Sequence, residues 1–142
     1  MRQFAILLAA AAVSALPVSA RAVDANPYDG TWTGFYECGQ GSTSLSLTLD
    51  GDASGQITGT FAFGPTRGNP NVASGSYRVA GSIGADGKFR LKGVQWIQQP
   101  AGYGMVGLHG KGYLNPKTAG GPPVLFGDII GSGCTQFALE KQ

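Results

Sequence analysis

The sequence predicts an all-β domain, a small antiparallel up-and-down barrel of about eight strands closed by one disulfide, with a β-sandwich as the alternative arrangement. Three observations carry this expectation. Apolar side chains recur with period two along most of the chain, clusters of Gly, Asp, Asn and Ser separate the runs, and two cysteines flank the repeating region.

The chain opens with a segment of another kind. Met1 to Ala22 has a basic start at Arg2, an apolar run from Phe4 to Val13, and small residues after Pro17, the layout of a secretory signal peptide. Val18-Ser19-Ala20 and Ala20-Arg21-Ala22 both offer a small-x-small cleavage site, and cleavage after Ala22 fits better. The apolar run is shorter than the roughly 20 residues of a spanning helix, so no membrane insertion is expected after cleavage. Residues 23–29 read as a flexible N-terminal arm and 30–142 as a single domain in the periplasm or outside the cell.

The first strand runs from Thr31 to Glu37. Leu45, Leu47 and Leu49 then alternate with Ser44, Ser46 and Thr48, and Ile57, Phe61 and Phe63 alternate with Thr58, Thr60 and Ala62. The turn cluster Asp50 to Gly55 joins these two runs into a hairpin. Tyr77, Val79 and Ile83 share a face, and Gly84-Ala85-Asp86-Gly87 turns the chain into Phe89 and Leu91. Beyond Leu91 the parity changes, with Val94 and Trp96 in step with each other, which predicts a β-bulge around Gly93. Val106 to Leu114, Val124 to Ile130 and Thr135 to Leu139 complete the set. Glycines inside strands, such as Gly59, Gly81, Gly110 and Gly112, permit the coiling that a small barrel needs.

Cys38 follows the first strand and Cys134 precedes the last, so a barrel brings them together at its closing edge. Closing a loop of about 95 residues contributes roughly 4–5 kcal/mol in the chain-entropy account. A metal or redox pair would need further His or Cys ligands, which the sequence lacks.

Charge narrows the function. Without Arg2 and Arg21 the chain carries eight basic against eight acidic residues, so the domain has no electrostatic footprint for nucleic acid. Lys88, Arg90 and Lys92 read as one solvated strand face. His109, the sole histidine, projects opposite to Leu108 and has no partner at a spacing that identifies a triad, so no enzyme activity is expected. Asp128 sits in an apolar strand and reads as its solvent side. Asp50, Asp52 and Asp86 are turn residues without a calcium-loop pattern, and Gly39-Gln40-Gly41 precedes no helix, so neither a metal nor a cofactor is expected.

Three connections carry loop chemistry: Gly64 to Ala73, Gln98 to Gly104, and Asn115 to Pro123. The richest segment is Gln95 to Tyr103, where Trp96 and Tyr103 supply aromatic area and Gln98 and Gln99 supply donors and acceptors for a small ligand, glycan or protein. Trp96 also suits a core plug at a barrel end. Arg67, Asn69 and Asn71 form a second loop candidate. These features predict a non-catalytic binding or accessory module, with a periplasmic inhibitor of a protease or lysozyme acting through Gly64 to Ala73 as the alternative.

Two resemblances accompany this reading. The run Gly30-Thr31-Trp32-Thr33-Gly34-Phe35-Tyr36-Glu37-Cys38, with Trp96-Ile97, Pro100-Ala101-Gly102-Tyr103 and Gly133-Cys134-Thr135-Gln136-Phe137, resembles an uncharacterised bacterial secreted domain whose segments also occur beside caspase-like peptidases. That resemblance implies an accessory or recognition role, without the peptidase part. Gly30-Thr31-Trp32 and Gly55-Gln56-Ile57-Thr58-Gly59-Thr60-Phe61 are similar to the opening hairpin of avidins, which implies an antiparallel barrel.

Overall fold

The computed structural model describes residues 26–115 and 121–142. The leader and the centre of the Asn115 to Pro123 connection lie outside the described residues. Eight strands follow in order: β1 (Gly30–Cys38), β2 (Gly41–Gly51), β3 (Gln56–Gly64), β4 (Gly75–Ile83), β5 (Lys88–Gln98), β6 (Gly107–Tyr113), β7 (Val124–Ile130) and β8 (Gln136–Lys141). Each pairs antiparallel with the next and β8 returns to β1, so the sheet closes as a barrel and the sandwich alternative is set aside.

The period-two pattern explains the lining. Leu45, Leu47 and Leu49 are buried while Ser44 and Ser46 face outward, and the same alternation places Phe61, Phe63, Tyr77, Val79, Phe89, Leu91, Leu125 and Leu139 inside. One row of cross-strand neighbours runs Trp32, Leu47, Phe61, Tyr77, Trp96. Strand tilt carries such a row along the barrel axis, so its two tryptophans serve opposite ends.

The predicted bulge is present. The register between β4 and β5 shifts between Arg78 and Val79, opposite Gly93 to Gln95, and shifts again between Ser76 and Tyr77. These shifts turn Trp96 inward but leave Val94 and Ile97 exposed, so the shared face expected for Val94 and Trp96 does not form.

The closing seam joins Trp32–Tyr36 of β1 to Phe137–Lys141 of β8, and the Cys38–Cys134 disulfide crosses it just beyond the ladder. The bond therefore makes the edge-to-edge junction covalent where hydrogen bonding stops. Backbones approach so closely there that a Cβ on Gly34 would collide with the Ala138 carbonyl oxygen.

One end of the barrel is sealed by the chain itself. Asn26–Asp29, expected as part of a free arm, is docked beneath the strands. The Asn26 side chain accepts from the Tyr28 N–H (3.0 Å) and donates to the Asp52 carbonyl (3.1 Å), while the Asp29 carboxylate accepts from the Gly51 N–H (2.6 Å). Tyr28 stacks beside Trp32, whose indole N–H donates to the Tyr28 carbonyl at 2.9 Å. A polar segment with no periodicity reads as free chain; its order comes from caps that only the folded turns supply.

Candidate functional site

The opposite end, where the disulfide lies, stays concave. The β1–β2 turn, the β5–β6 loop and the β7–β8 turn meet around a mouth of about 240 Å³. Its walls are aromatic: Phe61 stacks on Tyr77 (centroids 4.7 Å apart), Tyr36 meets Phe61 edge-on (5.5 Å), and Tyr103 stacks on Phe63 (5.4 Å). Gln40, Ser132 and the disulfide complete the rim, and no charged side chain lines it.

Polar groups of the mouth are held in place. Gln40 donates to the Thr43 hydroxyl (3.1 Å), which donates to the Gly41 carbonyl (3.1 Å), and Thr43 is fully buried. Burial, with the Tyr103 phenol nearby, pushes the Tyr36 hydroxyl up to about 12, against the lowering effect of hydrogen bonds from Thr43 and Gln40. Tyr77 is also shifted upward, by burial, and its hydroxyl donates to the Val106 carbonyl (2.9 Å) while accepting from the Val106 N–H (3.2 Å). Both phenols are therefore neutral at ordinary pH. Ser132 takes a left-handed φ of 52° in the tight Gly131-Ser132-Gly133 turn, the one described non-glycine residue with a positive φ, and it faces the mouth.

Of the four residues singled out in the sequence, Tyr103 lines the mouth. Trp96 stands behind it, half-buried, edge-on to Phe63 (6.3 Å) and Tyr77 (5.1 Å), which is the plug role weighed for it. Gln99 braces the loop by donating to the Tyr103 carbonyl (3.0 Å), and Gln98 is exposed opposite Ser76. Sequence reasoning passed over Tyr36, Gln40, Thr43 and Ser132. Tyr36 shares the parity of Trp32, which marks it as inward, but parity says nothing about depth along the axis.

The other candidates separate. His109 and Asp128 are cross-strand neighbours on the outer wall, with Nδ1 3.9 Å from Oδ2 and both exposed, away from the mouth. Among the described residues no three His, Cys, Asp or Glu side chains gather to hold a metal ion. Asp52 caps its own turn, accepting from Ser54 and Gln56, and these bonds hold its carboxyl below the usual range.

The Gly64 to Ala73 loop is pinned. Thr66 and Asn69 pair across it, Asn69 donates to the Gln40 and Ser42 carbonyls (2.5 and 3.3 Å), and Val72 is buried, while Arg67 and Gly68 are presented to solvent.

A wider groove of about 1100 Å³ crosses the outer wall of β7, β8, β1, β2 and β3 around exposed Phe35 and Phe126. It is an open sheet face, with hydroxyls scattered along it. The mouth is smaller but concentrates hydroxyl, amide and aromatic groups in one concavity, the arrangement that orients a small ligand.

No protein-family model, curated protein or solved structure matches this chain. The disulfide is consistent with an oxidising, exported location.

Proposed function

We propose that this protein is an exported, non-catalytic binding module of the periplasm or cell exterior that takes a small uncharged ligand, such as one sugar ring of a glycan, into the disulfide end of the barrel. The observation that carries this reading is the uncharged mouth, in which Tyr36, Tyr103 and Gln40 stand over the aromatic floor of Phe61, Phe63 and Tyr77. Aromatic faces accept the apolar side of a sugar, while phenol and amide groups satisfy its hydroxyls. Neutral phenols and the absence of lining charge disfavour an ionic ligand, because nothing there would offset its desolvation. Isothermal titration with neutral mono- and disaccharides and with peptidoglycan fragments tests the reading. Saturable binding lost in Tyr36→Phe and Tyr103→Ala supports it; heats unchanged by both substitutions refute it.

A second reading, inhibition of a protease or lysozyme, is favoured by the pinned Gly64 to Ala73 loop, whose order lowers the entropy lost on insertion into a cleft. A panel of such hydrolases assayed with the protein and with Arg67→Ala decides it, since loss of inhibition on that change is the required outcome.

A further inference from the structure

The barrel wall is uneven. β5 pairs with β6 only from Lys88 to Leu91, opposite Leu108 to Lys111, whereas β6 pairs with β7 along its whole length. Beyond Leu91 the ladder stops, and the Tyr77 hydroxyl holds both main-chain groups of Val106 from inside, so the fork is sealed toward the core. Among the described residues no main-chain hydrogen bond joins 92–98 to 99–106. On the outer side the fork opens a groove of about 560 Å³.

Its lining combines two chemistries. Arg90 and Lys92 stand on one side, and Met105 and Ile130, both exposed, on the other, over the bare backbone of Gly93 and Gly107. Met105 lies against Gly93 and Ile130 against Gly107, which fixes their place beside the cations. The described ion pairs are Lys88 with Asp86 and His109 with Asp128; Arg78, Arg90 and Lys92 have no carboxylate within ion-pair distance among the described residues. Of these, Arg90 and Lys92 line the fork, and no acidic side chain lines it with them.

We propose that this fork is a docking site for an extended, acidic segment of a partner protein, with alternate carboxylates on Arg90 and Lys92 and aliphatic side chains against Met105 and Ile130. Charge complementarity selects the occupant, and the unpaired edge of β5 suits a chain lying along it. A second copy is disfavoured because pairing two β5 edges gathers the like charges of Arg90 and Lys92 in one patch. The groove is a concavity with two cations on its lining, which favours a peptide over a flat anionic bilayer.

The test is fluorescence anisotropy of a fluorescein-labelled peptide of alternating Glu and Val, against one of alternating Lys and Val, with the full exported chain. We expect saturable binding of the Glu peptide alone, weakened at least tenfold by Arg90→Glu with Lys92→Glu, and transfer of preference to the Lys peptide in that double variant. Both positions are exposed, so circular dichroism of the variant should match the parent. Equal binding of both peptides, or affinity unchanged in the double variant, would overturn the proposal. So would sedimentation with phosphatidylglycerol vesicles, or a concentration-dependent dimer, that the same double variant abolishes while the Glu peptide fails to bind.

Discussion

The two ends of this barrel are lined by similar side chains and finished in opposite ways. At one end Trp32 is fully buried, its indole N–H bonded to Tyr28, and Asn26–Asp29 closes the opening with satisfied hydrogen bonds. At the other, Trp96 is half-buried behind Tyr103, and the phenols of Tyr36 and Tyr103 edge a cavity ringed by loops. The difference separates a closed end, where the N-terminal segment bonds to the turns beside it, from an open one, where phenols and an amide surround a cavity.

That contrast can be broken in graded ways. The largest effect is expected from Cys38→Ser with Cys134→Ser, which releases a loop spanning a sequence separation of 96. Loss of about 4–5 kcal/mol in urea unfolding follows from the chain-entropy account, and an unchanged midpoint would show that the β1–β8 ladder alone holds the seam. Trp32→Ala comes next, at about 3–5 kcal/mol for a buried tryptophan. Trp96→Ala should cost less, because its ring is partly solvated; equal losses would erase the distinction between the ends. Asn26→Ala should cost about 1–2 kcal/mol by stranding the Tyr28 N–H and the Asp52 carbonyl, whereas a free arm would give no change.

A separate effect is read against pH. The Tyr36 phenol is raised from 10.0 to about 12 in the folded chain, so between those values the native state holds a proton that the unfolded state has lost. Stability therefore falls as pH rises from about 10 to about 12, having been fully present below. Tyr36→Phe should make the alkaline limb of the melting curve shallower, and Tyr77 contributes in the same direction.

The barrel was legible because period two is a statement about faces. Leu45-Leu47-Leu49, the turn at Asp50 to Gly55 and the parity change at Gly93 each translate into a strand, a hairpin or a bulge. Depth along the axis was not legible. Tyr36 and Trp32 have the same parity, yet one edges the mouth and the other lies against Tyr28 at the sealed end, because strand tilt and register decide the level. Convergence of turns distant in sequence hid Gln40 and Ser132 in the same way. Asn26–Asp29 was misread as free chain because its hydrogen-bond partners are turns tens of residues away.

Because the sequence holds two tryptophans, one per end, fluorine NMR of protein labelled with 5-fluorotryptophan compares the ends in one spectrum. Titration with neutral saccharides and peptidoglycan fragments should shift the Trp96 resonance, assigned with Trp96→Phe, saturably and leave Trp32 unmoved, and Tyr103→Ala should abolish the shift. Absence of any saturable shift at Trp96 across these ligands, or a shift at Trp32 instead, would contradict the assignment of the disulfide end as the binding mouth.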